Sequence, residues 1–425
     1  MKASKYNICF KKDRRYYVFN QLSCDFREID AELFDVLKND RVDLLADAEL
    51  ISDLERGGLI CDQSISEESY VIAANKSFRF SKSAVRITVM PTLDCNFHCW
   101  YCYETHVPSK MSLEGVQSVI SFCKRVIQEG CVSRFVLDWF GGEPLLYFNE
   151  IVYPISNEVK KICEKYNVVF HNSITTNGFL ITPEIVERMN SVSLNSFQIT
   201  LDGAKKYHDK TRFSVDRSGS YDTIVRNIIM LCRQITDIHL TLRINHTPTN
   251  LPTIDEIAES FPKDVRDKIF VEPQQVWQYK EDINPVDKIV QGKMEKFYRA
   301  GYPTRCTMLP QSCIWCYAES MSQYVINHDL NVYKCTARDF VPEKYSIGHI
   351  SKTGDFVPNH RYYQYYTASF FENERCLDCE LLPSCTGMCI QKKLEQSISS
   401  CPKQNVKESI LNRLMSIVDE QSRQS

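Results

Sequence analysis

Three cysteines fall within the eight residues Cys95-Asn-Phe-His-Cys99-Trp-Tyr-Cys102, spaced C-x3-C-x2-C. A disulfide uses two thiols, and a closed zinc or iron–sulfur site usually takes four ligands. A set of three either borrows a fourth ligand or leaves one metal position open. For a zinc ion, His98 and His106 are the nearby candidates. Alternatively, three thiolates at this spacing hold three corners of a [4Fe–4S] cube and leave its fourth iron free for a small molecule. A second cysteine-dense region lies downstream: Cys376-x2-Cys379-x5-Cys385-x3-Cys389, then Cys401. Before it come Cys313-x2-Cys316 and, 18 residues later, Cys335, with Cys306 a further candidate. Zinc ribbons and iron–sulfur sites both use such spacings.

The chain holds 19 cysteines, an odd number that cannot be fully paired within one chain. A reducing cytosol keeps such residues as thiols. The scattered singles (Cys9, Cys24, Cys61, Cys123, Cys131, Cys163, Cys232) sit among apolar neighbours and read as small buried hydrophobes. Hydrophobic residues make up 43% of the 425 and charged residues 25%, ordinary for a globular protein. The net charge of −3 gives no reason to expect a nucleic-acid-binding surface. The start, MKASKYNICFKKDRRYYVF, lacks the apolar run of a signal peptide. No stretch approaches the ~18 apolar residues of a membrane span. The expected location is the cytoplasm, with no membrane partner.

Alternating elements must position the first cysteine group. From Val85, strand-like and helix-like runs take turns: VRITVM, a helix over 112–129, FVLDWF, a helix over 147–165, VVFHNSIT, a helix opened by Thr182 and Pro183, SFQITL, a helix near 221–235, HLTLRIN, a helix near 252–259, and KIFVEP. Six βα repeats imply a parallel sheet, open or partly closed into a barrel, with ligands at the carboxyl ends of its strands. Residues 1–80 read as a separate α+β module. YYVFN is a strand, Ile29–Leu37 and Leu44–Leu54 have helical spacing, GGLICD gives a turn and strand, and SISEES is a charged linker. This pattern fits a winged-helix-like module. After about residue 300 the alternation stops. Little there could build a conventional core, so metal sites are expected to supply stability. A last helix spans 404–420, with apolar Val406, Ile410, Leu411, Leu414, Ile417 and Val418.

Several strand ends carry suggestive residues. FGGEP at 140–144 offers two glycines for close backbone approach, the Glu143 carboxylate and a turn fixed by Pro144. TTNG ends the third strand and Thr200-Leu201-Asp202-Gly203 the fourth. Arg212 could pair with a carboxylate as a planar fork, or lie on a helix surface. Asn245 ends the fifth strand.

In this order the motifs resemble those of the radical S-adenosylmethionine (SAM) superfamily. Cys95, Cys99, Tyr101 and Cys102 match its C-x3-C-x-aromatic-C pattern. The resemblance implies that the open iron chelates the amino and carboxylate groups of SAM. One electron from the cluster then cleaves SAM to methionine and a 5′-deoxyadenosyl radical, which abstracts hydrogen from substrate. It also implies that Tyr101 packs near the adenine and that Gly141, Gly142, Glu143 and Pro144 bind the methionine amino group. Thr200 would contact the ribose or carboxylate, with Asn177 and Arg212 as further SAM contacts.

Downstream, C-x2-C-x5-C-x3-C with a late cysteine is similar to the SPASM extension of these enzymes, which holds two auxiliary [4Fe–4S] clusters. The resemblance groups Cys313, Cys316, Cys335 and Cys389 in one cluster, with Cys306 an alternative to Cys313. It groups Cys376, Cys379, Cys385 and Cys401 in the other. The glycine usual five residues before the middle cysteine is Leu330 here, so Asn327, Asp329 or Asn331 is expected to supply the turn. The resemblance covers roughly 85–402. It implies an α/β architecture: a partial (β/α)6 TIM-like barrel at 81–300, the winged-helix-like module at 1–80, and a cysteine-rich iron–sulfur domain at 301–425.

SPASM enzymes mostly modify peptides and proteins. The first expectation is a peptide maturase that installs a thioether or carbon–carbon crosslink in a ribosomally made precursor. The N-terminal module would grip the leader as an added β-strand, and a flavodoxin or ferredoxin would supply low-potential electrons. An anaerobic sulfatase-maturating enzyme is the alternative. Such enzymes place Asp directly after the middle auxiliary cysteine, where this chain has Thr336, and they start near the three-cysteine loop. A non-catalytic, metal-stabilised binding protein is the third option. The catalytic base is unassigned, with Asp339 and Glu272 as guesses.

Overall fold

A computed structural model describes residues 1–214, 218–278, 283–305, 308–369, 371, 373–385, 387, 389–395, 401 and 406–424. The chain forms two compact units. One comprises Met1–Phe80, Thr307–Ser320 and Thr367–Ser425; the other comprises Ser81–Cys306 and Met321–Tyr366. The stretch 301–425, expected as a single domain, is therefore divided between them.

In the first unit the strands are β1 (Lys2–Ala3), β2 (Asn7–Lys12), β3 (Arg15–Asn20), β4 (Phe26–Ile29) and β5 (Ile60–Cys61). β2, β3 and β4 form an antiparallel sheet, and β1 pairs with β5. Helices α1 (Ala31–Lys38) and α2 (Ala48–Arg56) start where Asp30 and Asp47 accept hydrogen bonds from first-turn amides. Leu33, Val36 and Leu37 of α1 bury against Val18, Leu54 and Ile60. On another side of the sheet, Ile8, Phe10, Tyr17 and Phe19 pack against Ile410, Leu414 and Val418 of the C-terminal helix Val406–Gln424. That helix thus completes the N-terminal module's core. The expected linker SISEES is instead the start of a third helix, α3 (Glu67–Phe80). Ser66 Oγ accepts from the Ser69 amide at 3.4 Å, and Glu67 and Glu68 fill the first turn, which is the charge pattern of a capped helix start.

The second unit is built on one ten-stranded sheet. β6 (Ala84–Val89), β7 (Arg134–Trp139), β8 (Val169–Thr176), β9 (Leu194–Leu201), β10 (His239–His246) and β11 (Ile269–Gln275) lie side by side in chain order, all parallel. Connecting helices include α4 (Leu113–Glu129), α5 (Tyr153–Lys165), α6 (Pro183–Ser191), α7 (Lys205–Thr211) and α8 (Tyr221–Gln234). Thr182 caps α6 from its side chain with Pro183 at the first helical position, as expected. The helix expected near 252–259 is a 3₁₀ segment, Leu251–Ser260, whose β-branched Thr253, Ile254 and Ile257 fit an α-helix less well.

Beyond α9 (Ile283–Arg299), β12 (Gln323–Ile326) pairs parallel to β6, followed by antiparallel β13 (Asn331–Tyr333), β14 (Gly348–Ile350) and β15 (Phe356–Pro358). This corrects the expectation of a coreless C-terminal region. Val325, Tyr333 and Phe340 bury against Met90 and Leu93, so residues 321–366 extend the barrel sheet with a conventional core. The turn before Cys335 is also corrected. Leu330 itself adopts the left-handed conformation, with φ +67°. Asn327 and Asn331 close the turn around it by the Asn327 N–Asn331 O bond at 2.9 Å.

Candidate active site

The parallel strands converge on an open cavity of about 170 Å³, or about 920 Å³ when the open space at its mouth is counted. Cys95, Cys99 and Cys102 line it together. It is also lined by Thr175, Thr176 and Asn177 at the end of β8, Gln198 and Thr200 on β9, Arg243 and Asn245 on β10, Gln275 at the end of β11 and Trp277 beyond it. Arg212, Tyr101 and the Gly141–Gly142 backbone complete the wall.

The cysteine loop is anchored at its base by FGGEP. Gly142 N donates to Thr92 O at 3.1 Å and Glu143 N to Asp94 O at 2.8 Å. A side chain at Gly142 would run into the Asp94 carbonyl, and one at Gly141, φ +109°, into that of Thr92. The glycines therefore permit the turn to close on the residues just before Cys95, as well as lining the cavity. Asp94 in turn accepts from the Cys95 amide at 2.8 Å.

Glu143 differs from its expected role. It is fully buried and absent from the cavity wall. Its Oε1 accepts from Thr176 Oγ1 at 2.7 Å and Leu145 N at 3.0 Å, and its Oε2 from Asn177 N at 2.8 Å. The carboxylate is a clamp between two strand ends. Pro144 is likewise buried behind the wall, opening a short 3₁₀ turn. Asn177, held by that clamp, reaches forward: its Nδ2 donates to Asn96 Oδ1 at 2.7 Å, within the cysteine loop.

The Tyr101 hydroxyl ties the loop to the far strands. It donates to Asp202 at 2.6 and 2.8 Å, and it accepts from Arg212 Nη1 at 2.9 Å and Asn245 Nδ2 at 3.2 Å. One donor and two acceptor sites exhaust a phenol's capacity. Only the ring of Tyr101 remains for a ligand. Arg212 is buried at 8% exposure and lines the cavity, so it is not a surface arginine. Its Nε is buried with no hydrogen-bond partner. Burial pushes the Cys95, Cys99 and Cys102 thiols up, and the positive charge of Arg212 pulls each back down. The guanidinium thus favours the thiolate forms that bind metal.

These residues fit the cluster and SAM better than a zinc ion. His98 is exposed, and His106 Nδ1 sits 3.0 Å from Leu93 O. Among the described residues, no three His, Cys, Asp or Glu side chains gather tightly enough for one metal ion. A cube asks for thiols further apart, each at its own iron. The unpartnered Nε of Arg212 fits an anionic ligand group such as a carboxylate.

The guessed bases lie elsewhere. Glu272 pairs with Arg305 at 2.8 Å outside the cavity lining, and Asp339 accepts from Thr105 N and Oγ1 at 3.2 and 2.9 Å. A carboxylate not anticipated from the sequence, Glu104, lines the cavity. It is buried, its Oε2 lacks a partner, and burial pushes its pKa up to about 7, against the opposing pull of His106. Asp202, Gln198, Arg243 and Trp277 were also missed. Strand alternation could have found Gln198 and Arg243, each two residues before a recognised site residue and so on the same face.

Of the downstream cysteines, Cys376, Cys379, Cys385 and Cys401 belong to the first unit. Burial raises the Cys376 thiol, and the negative charges of Cys385, Cys379 and Cys401 raise it further, so each of those three lies within electrostatic reach of Cys376. Cys313, Cys316 and Cys389 are in the same unit and Cys335 in the other. Cys306 lies outside the described residues.

Residues 89–261 match the family model described as the radical SAM superfamily. The cysteine-type anaerobic sulfatase-maturating enzyme of Clostridium novyi (strain NT) is 25% identical over 339 residues, 71% of this chain and 86% of that protein. The radical SAM cyclopropyl synthase TigE of Paramaledivibacter caminithermalis is 22% identical over 454 aligned positions, 91% of this chain and 89% of that protein. Among solved structures, anSMEcpe with bound AdoMet and the Cp18Cys peptide has a TM-score of 0.58 at 17% identity, over 80% of this chain and 98% of that one. Streptococcus suis SuiB bound to precursor peptide SuiA has a TM-score of 0.54 at 14% identity, over 96% of this chain and all (100%) of that one. At such identities the structural likeness concerns the fold. No helix among the described residues is long and apolar enough to cross a membrane. The three-cysteine loop, the strand-end wall and the matched stretch coincide: residues 89–261 are a radical SAM domain.

Proposed function

We propose that this enzyme is a peptide maturase that forms a thioether or carbon–carbon crosslink in a ribosomally made precursor. The observation that carries this reading is coverage. The cyclopropyl synthase TigE and SuiB, solved with precursor peptide SuiA, align with 91% and 96% of the chain, so the likeness extends well beyond residues 89–261. Cys95, Cys99 and Cys102 would hold the SAM-binding [4Fe–4S] cluster, which with SAM supplies the radical that removes a substrate hydrogen. Around it, the Arg212 Nε edge receives the SAM carboxylate, Thr200 and Asn177 offer hydrogen bonds to its polar groups, and the Tyr101 ring flanks its adenine. The Gly141–Gly142 backbone receives the amino group. The strand-end wall excludes water and orients the peptide at the mouth beside Trp277.

Two auxiliary [4Fe–4S] clusters belong to this reading, one on Cys376, Cys379, Cys385 and Cys401, the other on Cys313, Cys316, Cys335 and Cys389. The electrostatic effect of Cys379, Cys385 and Cys401 on Cys376 supports the first set. The strands and three helices of residues 1–80 support a winged-helix-like role in leader binding, and a flavodoxin or ferredoxin would donate electrons.

A specific observation favours a second reading, sulfatase maturation: the Clostridium novyi enzyme is matched over 86% of its length. Anaerobically reconstituted enzyme, incubated with SAM, reductant and candidate peptides, separates the two by mass spectrometry. Loss of two hydrogens with no aldehyde that a hydrazine can trap supports crosslinking. An aldehyde trapped by a hydrazine supports formylglycine formation and overturns the first reading. Iron and sulfide assays should give about 12 irons per chain for three clusters, and about four would remove the auxiliary pair.

A further inference from the structure

Polar atoms buried without a partner are few in folded proteins and call for an explanation. In the first unit, three hydrogen-bond donors of this kind occur around the auxiliary cysteines: the Tyr6 hydroxyl, Trp315 Nε1 and Ser384 Oγ. Tyr6 comes from the N-terminal module and has no solvent exposure. It forms a small core with Val71 and Leu382, against which Cys313, Trp315 and Cys376 pack. Trp315 lies between Cys313 and Cys316 in the chain, and Ser384 immediately precedes Cys385. The backbone binds these segments together: Cys313 N donates to Pro383 O at 2.8 Å, and Cys385 N to Leu381 O at 2.8 Å.

The chemistry of the three atoms is informative. An indole N–H can only donate, and the two hydroxyls have a proton to give. The apolar neighbours Val71 and Leu382 offer no side-chain acceptor. Leaving such donors unpaired is costly, which makes their concentration beside the cysteines unlike chance burial. An iron–sulfur centre supplies the missing acceptors in its bridging sulfides and cysteine sulfurs. Hydrogen bonds to those sulfurs are among the terms that set its reduction potential.

We propose that Tyr6, Trp315 and Ser384 donate hydrogen bonds to the sulfur atoms of the auxiliary iron–sulfur centres held by the cysteines beside them and raise the reduction potentials of those centres. The N-terminal module would thereby tune a redox centre as well as carry peptide-binding strands. This rests on the reading that the downstream cysteines hold such centres.

The sign follows from charge. Reduction adds negative charge to the sulfurs, and a donor stabilises that charge, so removing a donor makes the centre harder to reduce. The test uses full-length reconstituted Tyr6→Phe, which keeps the ring and deletes only the hydroxyl, and Trp315→Phe. Iron content is assayed first. Potentials are then followed by anaerobic titration with EPR detection. The expected result is wild-type iron content, an auxiliary signal moved to more negative potential in each variant, and an unmoved potential for the SAM-binding cluster. Unchanged auxiliary potentials overturn the proposal, as does iron loss in Tyr6→Phe, which would make the hydroxyl a support of the fold. A wild-type enzyme with only about four irons refutes the auxiliary-cluster reading itself, before any variant is compared.

Discussion

Removing the Tyr101 hydroxyl tests whether the cysteine loop and the far strands act as one unit. Tyr101→Phe keeps the ring that lines the cavity and deletes a hydroxyl with three partners, Asp202, Arg212 and Asn245. Each of those partners is buried at 8% exposure or less. A stranded buried polar group costs about 1–3 kcal/mol, so the three together set an upper bound of about 3–9 kcal/mol. The lost volume is about that of a water molecule, and a water with three polar partners is well held. A water entering the gap would restore most of those bonds, which places the stability loss near the low end, about 1–3 kcal/mol. The effect on ligand binding is separate. The hydroxyl holds Nη1 of Arg212, whose side chain lines the cavity, and so fixes the orientation of the guanidinium. A mobile guanidinium should weaken SAM binding by about ten- to a hundredfold, the scale of one hydrogen bond to a charged group. Anaerobic equilibrium binding of SAM to reconstituted wild type and Tyr101→Phe measures this, and decarboxylated SAM serves as the control. If the tyrosine acts through Arg212 on the carboxylate, decarboxylated SAM binds both proteins alike. Equal loss of affinity for both ligands would place the effect at the ring and refute the reasoning, and so would unchanged affinity for SAM.

Other outcomes follow from the same geometry. Gly142→Ala should push FGGEP away from the Asp94 carbonyl, costing at least about 1–3 kcal/mol, and iron retention at the three-cysteine loop should fall with it. Replacing Cys95, Cys99 and Cys102 together by Ala should abolish 5′-deoxyadenosine formation while leaving any downstream iron in place, as chromatography and iron assays would show. Leu330→Gly should raise the urea midpoint, because a leucine at φ +67° carries a left-handed penalty of about 1 kcal/mol that glycine does not. Burial lowers the His246 pKa from 6.5 to about 4. The unfolded chain therefore takes up a proton first as pH falls from 6.5 to 4, and stability declines across that window by about 3 kcal/mol. His246→Gln should remove that slope in denaturation curves recorded at a series of pH values.

The features legible in the sequence were those set by local spacing. The three cysteines, the alternation of strands and helices, the Thr182–Pro183 helix start and the strand-end motifs all depend on residues within a few positions of one another. What was not legible depends on distant pairing. SISEES reads as a solvated linker because its charges are visible, whereas the helix it caps has few apolar landmarks: of α3's side chains, Glu67, Val71, Asn75 and Arg79 are the buried ones. Glu67 is tolerable there because Ser4 and the Lys5 amide hydrogen-bond to it from the other end of the module. Residues 321–366 seemed coreless because their apolar residues come in short runs. Those runs bury well once β12 pairs with β6, some 235 residues earlier in the chain.

The same reasoning explains why the polar contacts of Glu143 and of the Tyr101 hydroxyl are not legible in the motifs that carry them. A motif tells which residues meet at a strand end but not which way their polar atoms face. A buried carboxylate needs its acceptor sites filled, and the amides of Leu145 and Asn177 with the Thr176 hydroxyl fill those of Glu143 from inside the wall. A ligand amino group would have to compete with three donors already in place. The exposed functional surface of FGGEP is therefore its glycine backbone, and the carboxylate acts by holding Asn177 forward against Asn96 of the cysteine loop. By the same count, the Tyr101 hydroxyl is spent on Asp202, Arg212 and Asn245, and the polar atom left over at that corner is Arg212 Nε. Satisfying every buried donor and acceptor in turn leaves a short list of unfilled atoms, and around this cavity Arg212 Nε and Glu104 Oε2 are on it. Those are the positions where a ligand's own polar groups have something to gain.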